Sequence, residues 1–214
     1  MNNDFFEDRK DAGVQLASML LQLRKDKPII LALPRGGVEI GYEVAKALKA
    51  PLDVIVSRKI GSPPDPEFAI GAVSEKNTVV FDKRTLFGFG LEESRLGEEI
   101  KKTKEEVDRR IKLYRGRPLP KLAGRTVIIV DDGLATGMTA LASVKSVKKE
   151  KPKRIVFAAP VCTAGPMKKL ESVVDTVICK LTPKGLGSIG EYYRDFPQVS
   201  DDEVLDILHK ARRA

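Results

Sequence analysis

The chain has 214 residues, 42% of them hydrophobic and 32% charged, which suits one folded domain that buries about 70% of its unfolded surface and excludes a disordered chain. No run approaches the roughly 20 apolar residues of a membrane span, so no membrane partner is expected. Lys and Arg number 38 against 30 Asp and Glu, a formal net charge of +8; that excess fits a nucleic acid, a small phosphorylated anion or a plain solvated surface, while the absence of tryptophan and the 6% aromatic content argue against a base-stacking platform.

Residues 14–23 carry an apolar stripe at helical spacing (Leu16, Leu20, Leu23) and predict a helix. The apolar run 29–33 predicts a buried strand, broken by Pro34-Arg35-Gly36-Gly37. Residues 38–48 predict a helix and 52–56 a second strand, so the order is βαβ and the sheet parallel. Three prolines within 63–66 force a loop. Residues 69–73 and 78–81 predict a short hairpin. The charged stretch 92–114 predicts a long helix with one thin apolar stripe (Leu96, Ile100, Val107, Ile111) and a solvated remainder. Regular α/β order then resumes: strand 126–130, a polar turn 131–139, helix 140–149, strand 155–160, short helix 165–170 and strand 173–181. An aromatic cluster (Tyr192, Tyr193, Phe196) precedes a closing helix from Asp201. The expected architecture is α/β, with at least five parallel strands and helices on both faces.

Two cysteines are too few for a disulfide framework and are wrongly spaced for zinc. Cys162 and Cys179 fall at or in predicted strands, so they are expected as buried thiols in a reducing, cytoplasmic setting. The start M-N-N-D-F-F-E-D-R-K is acidic and polar, not basic and then apolar as a signal peptide would be. His209 sits among basic residues of the last helix, far in sequence from every motif.

The most informative string runs from Val127 to Thr139, V-I-I-V-D-D-G-L-A-T-G-M-T. A buried strand delivers Asp131 and Asp132 to its C-terminal end, where open parallel sheets bind ligands. A turn of small and hydroxyl residues then opens a helix, so backbone N–H groups and the helix N-terminus can face an anion, with Thr136 and Thr139 as further donors. Phosphate for the turn and vicinal hydroxyls for the acids together describe a grip on ribose 5-phosphate. The string is not a P-loop, since Met138 stands where the lysine belongs, and it is not a G-x-G-x-x-G fingerprint. Read from residues alone, the paired acids could also hold Mg²⁺, as in phosphoryl acceptor domains, or the turn could be a capped helix start.

This string closely resembles the phosphoribosyl diphosphate (PRPP) signature of type I phosphoribosyltransferases. The resemblance implies that Asp131 and Asp132 hold the ribose hydroxyls, and that Gly133, Ala135, Thr136, Gly137, Met138 and Thr139 complete the ribose and 5-phosphate site. Arg35, Gly36 and Gly37 stand where the family binds pyrophosphate, and Arg58 and Lys59 stand where similar enzymes add a basic contact to it. Residues 58–82 match the mobile lid in position, and 182–214 the hood, with a contribution from the N-terminal helix, in a single domain 1–214. Arg58-Lys59-Ile60-Gly61, Pro66-Glu67-x-Ala69-Ile70-Gly71-Ala72-Val73 and Tyr193-Arg194-Asp195-Phe196 resemble, over most of the chain, a bacterial and archaeal group within the family whose acceptor the resemblance does not name.

The implied reaction is transfer of the 5-phosphoribosyl group from PRPP, with Mg²⁺ as cofactor, to a small nitrogenous acceptor such as a nucleobase, with release of pyrophosphate. Mg²⁺ is expected on substrate oxygens and water, with no dedicated protein ligands. Asp131 and Asp132 would stabilise charge developing at the ribose, and Glu67 is the candidate acid or base, though a surface glutamate after a proline explains it equally. Ala135 stands where 6-oxopurine transferases carry an acid, which disfavours a hypoxanthine–guanine activity. The resemblance implies a homodimer and no nucleic-acid partner. Two further readings stay open: a non-catalytic PRPP sensor that binds nucleic acid through basic clusters at 148–154 and 210–213, and a phosphohydrolase or phosphoacceptor domain using Asp131 and Asp132, which leaves the Thr-Gly-Met-Thr turn unexplained.

Overall fold

The computed structural model describes residues 5–63, 65, 68–185 and 187–213. Asp8 starts the first helix, α1 (Arg9–Leu20), its carboxylate accepting the Asp11 N–H at 2.7 Å. That cap places the helix five residues earlier than its apolar stripe alone predicts, and its end tightens into a 3-10 segment, Leu21–Asp26. Strand β1 (Ile29–Ala32), helix α2 (Gly37–Leu48) and strand β2 (Leu52–Val54) form the expected βαβ unit. Three antiparallel strands follow: β3 (Ser57–Gly61), β4 (Ala69–Ser74) and β5 (Thr78–Phe81). The predicted hairpin is β4–β5; β3 is a third strand beside it. A short helix, α3 (Lys83–Gly88), follows where the sequence predicts no element, and the long charged helix expected over 92–114 is a 3-10 turn (Glu93–Arg95) and then α4 (Gly97–Tyr114). Then come β6 (Thr126–Val130), α5 (Met138–Lys148), β7 (Arg154–Val161), α6 (Ala164–Glu171), β8 (Thr176–Leu181), a 3-10 turn (Ile189–Tyr192) and α7 (Asp201–Arg213).

The five strands β2-β1-β6-β7-β8 form one parallel sheet, as the sequence led us to expect. Ile30, Ile128 and Val156 share a register row and pack with α1 and α2, whereas Ile29, Val127 and Phe157 point the other way with Val144 and Val147 of α5. Burial on both faces is why these strands read as continuous apolar runs rather than as alternating ones.

The small sheet lies between α4 and α5. Ala72 and Val80 pack on Met138 and Ala142 of α5, and Val107 of α4 joins the main core with Ile60 and Ile70. A buried pair, Arg115 with Glu75, locks it to the large sheet, because Glu75 also accepts the Val56 N–H at 2.9 Å and Arg115 Nη1 donates to the Val54 carbonyl at 2.9 Å.

Residues near the two ends of the described chain pair as parallel strands would: the Phe6 N–H donates to Tyr192 O and the Arg194 N–H to Phe6 O, both at 2.8 Å. No described helix is long and apolar enough to cross a membrane. The cysteines differ from expectation. Cys162, one residue beyond β7, and Cys179 of β8 are joined as a disulfide with Cα atoms 6.2 Å apart. The parallel register, Ala159 beside Cys179 and Val161 beside Leu181, brings their side chains together, which a count of two cysteines does not foretell. The free-thiol premise of a reducing setting is thereby removed.

Candidate active site

Adjacent strands β1 and β6 lead the chain in opposite directions, β1 to β2 on one side and β6 to β7 on the other. Open parallel sheets take their ligands in the crevice beyond the C-terminal ends at such a switch point. Two loops meet there. One follows β1, contains a cis peptide between Pro34 and Arg35, and enters α2 at Gly37. The other, Asp131 to Gly137, follows β6 and enters α5 at Met138.

The loops are in contact through their glycines. A Cβ on Gly36 would lie 1.9 Å from Asp132 Oδ2, and one on Gly37 would lie 3.0 Å from Asp131 Cα. Only bare backbone can approach the two acids so closely. Asp131 Oδ1 accepts the Asp132 N–H at 2.9 Å. Burial, and then the neighbouring Asp132 charge, push the Asp131 carboxyl well above the usual carboxylate range.

The second loop is pinned from behind. The Asp131 N–H donates to Ala158 O at 3.2 Å, Leu134 N–H to Val161 O at 2.8 Å and Thr163 N–H to Leu134 O at 2.9 Å. The Thr163 hydroxyl donates to Ala135 O at 2.6 Å. These bonds use the amides of Asp131 and Leu134 and the carbonyls of Leu134 and Ala135. The amides of Ala135, Thr136 and Gly137 have no partner among the described residues. Gly137 takes φ +75° as it starts α5, and the first amides of that helix follow. Unpartnered N–H groups beside a helix N-terminus make a cradle for an anion. Thr136 is exposed and Thr139 half-buried, whereas the Met138 side chain turns into the core with Ala72 and Val80. Only the backbone of Met138 remains for the cradle.

Of the other candidates, Arg35 is in the first loop, Nη1 3.8 Å from Asp201 Oδ1 at the start of α7. Asp201 also accepts the Tyr114 hydroxyl and pairs with Arg109 at 3.7 Å. Arg58 is drawn to α4, its Nη1 3.8 Å from Glu106 Oε1, and is not joined to either loop. Arg58 and Lys59 line a cavity of about 570 Å³ between β3 and α4. Arg109, then Arg110, hold the Glu106 carboxyl down to about 2. Glu67, Pro64 and Pro66 lie outside the described residues. His209 is in α7, remote in sequence from both loops.

Sequence reasoning missed the residues that brace Asp132. Arg9 donates from Nε to Asp132 Oδ2 at 2.9 Å and from Nη1 to Pro197 O at 2.7 Å, with its guanidinium 3.7 Å above the Phe196 ring. Tyr193 donates its hydroxyl to Asp132 O at 2.7 Å; burial, and then Asp132, push that phenol up. Glu39, in the first turn of α2, is 4.0 Å from Arg9 Nη1, and its carboxyl is raised by burial. Ile189 closes the crevice from the C-terminal side, 2.4 Å from where a Gly133 Cβ would stand. The only sequence signal for this brace was the aromatic cluster around Tyr193 and Phe196.

Comparison with known proteins agrees with this geometry. The chain is 41% identical over 209 residues to a Mycobacterium tuberculosis protein called "Putative phosphoribosyl transferase", a match that covers 97% of this chain and 47% of that one. The same figures hold for the counterpart in a second strain, so the chain spans about half the length of these curated relatives. The crystal structure of TT1426 from Thermus thermophilus matches with a TM-score of 0.80 at 38% identity, covering 96% of this chain and 98% of that one. The structure of AQ2163 from Aquifex aeolicus shares the fold at a TM-score of 0.54 and 14% identity, over 85% and 78% of the two chains. The phosphoribosyl transferase domain model matches residues 6–187; the chain belongs to that family and has the type I phosphoribosyltransferase fold.

Proposed function

We propose that the crevice binds PRPP and that the protein transfers its 5-phosphoribosyl group to a small nitrogenous acceptor, releasing pyrophosphate. The observation that carries this reading is the set of unpartnered amides at Ala135, Thr136 and Gly137, placed one turn of chain from two adjacent carboxylates. The 5-phosphate would take those amides and the Thr136 and Thr139 hydroxyls. The vicinal hydroxyls of the ribose would donate to Asp131 and Asp132. The diphosphate would then face Gly36, Gly37 and Arg35, whose backbone and guanidinium can accept close approach by an anion. Arg58 and Lys59 of β3 would add positive charge for that end.

As the C1–O bond to pyrophosphate breaks, positive charge spreads over C1 and the ring oxygen. Carboxylates fixed beside the ribose stabilise it more than they stabilise the neutral sugar. The acceptor nitrogen then attacks the opposite face of C1. Its site would lie under Ile189. Among the described residues no group of three or more His, Cys, Asp or Glu could hold a metal. This donor set fits a Mg²⁺ ion that arrives on the diphosphate with its water; Asp131 and Asp132 would help to hold it, and it would neutralise charge on the leaving group.

The test is pyrophosphate release from PRPP and Mg²⁺ with a panel of purines, pyrimidines and other nitrogen nucleophiles. Acceptor-dependent release is expected. By calorimetry, the Asp131→Asn, Asp132→Asn double variant should lose PRPP affinity; unchanged affinity overturns the assignment.

A further inference from the structure

The edge of the parallel sheet opposite the candidate active site collects positive charge. Strands β2, β1, β6 and β7 stand side by side, about 4.8 Å apart, and each is entered from a turn. Three of those turns hold a lysine in the left-handed region: Lys49 at φ 51° before β2, Lys27 at φ 47° before β1 and Lys151 at φ 52° near the start of β7. The fourth, before β6, uses Gly124 at φ 72° and then Arg125. Glycine or asparagine would take such a backbone with less strain. Attraction to helix C-termini does not require these lysines, because Lys46 and Lys148 already occupy the last turns of α2 and α5, and Arg24 and Lys25 that of the 3-10 segment.

Two hollows join the turns. One, of about 350 Å³, is lined by Arg24, Lys27, Lys49 and Arg125 over Leu48 and two prolines, with no carboxylate. The next, of about 480 Å³, shares Lys27 and Arg125 and adds Lys25 and Lys153. Its one acid, Asp26, is paired with Arg154 at 3.6 Å. Among the described residues, Arg24, Lys27, Lys49 and Lys153 have no ion-pair partner. Arg125 Nη2 donates to Lys27 O at 3.2 Å, which fixes two of the turns together. Gathering unpaired like charges around one hollow destabilises the empty protein, and an anion placed among them reverses the sign.

We propose that these two adjoining hollows, which share Lys27 and Arg125, form a second anion site, which takes a small polyphosphorylated ligand such as a nucleoside triphosphate or a linear inorganic polyphosphate. It is concave, and no aromatic side chain lines it, so recognition is by clustered phosphate charge and not by base stacking. A strand of four or five residues, about 15 Å, separates it from the candidate active site, and it stands whether or not that crevice binds PRPP.

The experiment is calorimetric titration of the full chain, at low salt, with sodium tripolyphosphate and with ATP. The key variant is Lys27→Asn with Lys49→Asn, because asparagine tolerates the left-handed backbone and the fold should keep or gain stability. Its affinity for tripolyphosphate should fall at least tenfold, while Thr136→Ala with Thr139→Ala, in the other loop, leaves this binding event in place. If the asparagine pair disturbs folding, Lys25→Gln with Lys153→Gln, at ordinary backbone positions, should show the same loss. ATP binding as tightly as tripolyphosphate identifies the nucleotide as an acceptable carrier of the phosphates; binding of tripolyphosphate alone restricts the site to free polyphosphate. Absence of binding to the unaltered chain overturns the proposal, as does affinity within twofold in both charge variants. So does a 20-base-pair DNA duplex that binds more tightly than tripolyphosphate at equal salt, since it would make this edge a nucleic-acid surface.

Discussion

Arg9 and Asp132, 123 residues apart in sequence, meet in a 2.9 Å charge-assisted hydrogen bond behind the crevice. The guanidinium side chain is 6% exposed and the carboxylate 21%. Its face lies on Phe196, and a second nitrogen holds Pro197 O, so Arg9 is fixed before any ligand arrives and Asp132 with it. Breaking a buried pair by removing one partner costs about 3–5 kcal/mol; the residual exposure of Asp132 points to the low end. Arg9→Met should therefore destabilise by about 3 kcal/mol in urea unfolding. Removing Asp132 as well should return part of that loss, with a coupling of about 1 kcal/mol or more. Strictly additive effects would show that the two side chains do not depend on each other.

Asp131 presents the opposite case, a carboxylate whose ionised form the fold disfavours. Its folded pKa is raised by burial and by Asp132. Between its unfolded and folded values the native state binds more protons than the unfolded chain, so stability falls as pH rises through that window. Above the window the penalty is complete; below the unfolded value, about 3.9, it vanishes. Asp131→Asn keeps an oxygen for the Asp132 N–H and discards the charge. It should melt higher than the unaltered protein at neutral pH, with the gap closing on acidification toward pH 4. A gap independent of pH would assign the gain to packing. The same variant should bind PRPP more weakly, stability and function trading against each other at one residue.

The contrast between these acids shows what was legible in the sequence. The strand, the two acids and the small-residue turn lie within thirteen consecutive residues, and local chemistry sufficed to read them as a site. Five parallel strands were equally legible, because burial on both faces leaves apolar runs with no other interpretation in an α/β order. Arg9 was not, since its partner is 123 residues away and an arginine near the start of a helix looks like any solvated charge. Nor was β3: Ser57 to Gly61 carries Arg58 and Lys59, and its pairing with β4 is a matter of register that no single strand encodes. The charged helix was read as mostly solvated, yet Tyr114 and Arg109 reach Asp201, a contact set by how α7 folds back.

The Cys162–Cys179 link closes a short loop, with a sequence separation of 17. Chain-entropy arguments give such a crosslink about 3 kcal/mol, which for a domain of this size is a shift of roughly 6 °C or more in Tm. Calorimetry with and without a phosphine reductant should show that fall. A variant with both cysteines changed to alanine should ignore the reductant. Cys162 is followed by Thr163, whose N–H and hydroxyl hold Leu134 and Ala135, so reduction should also speed hydrogen exchange at the Leu134 and Thr163 amides. Exchange confined to β8 would mean that the phosphate-side loop is held without the crosslink.

Gly36 offers the sharpest test of contact between the two loops. Its backbone is at φ −59° and ψ −33°, which any residue adopts, so an added methyl acts only through space. That methyl would stand 1.9 Å from Asp132 Oδ2 and 2.6 Å from Arg9 Nε, closer than any packing allows. Gly36→Ala must push the ion pair and the first loop apart, at a cost of about 1–3 kcal/mol, as for other overpacked sites. Gly88→Ala is the matched control: it lies in α3 with nothing within 4 Å of the new methyl and should stabilise by about 0.4–1 kcal/mol through the unfolded chain. Crystallography of Gly36→Ala should show Asp132 rotated off Arg9, and PRPP affinity should drop with it. A Gly36→Ala protein as stable as the Gly88→Ala control, with the pair intact, would mean that the first loop has room to retreat and does not position Asp132.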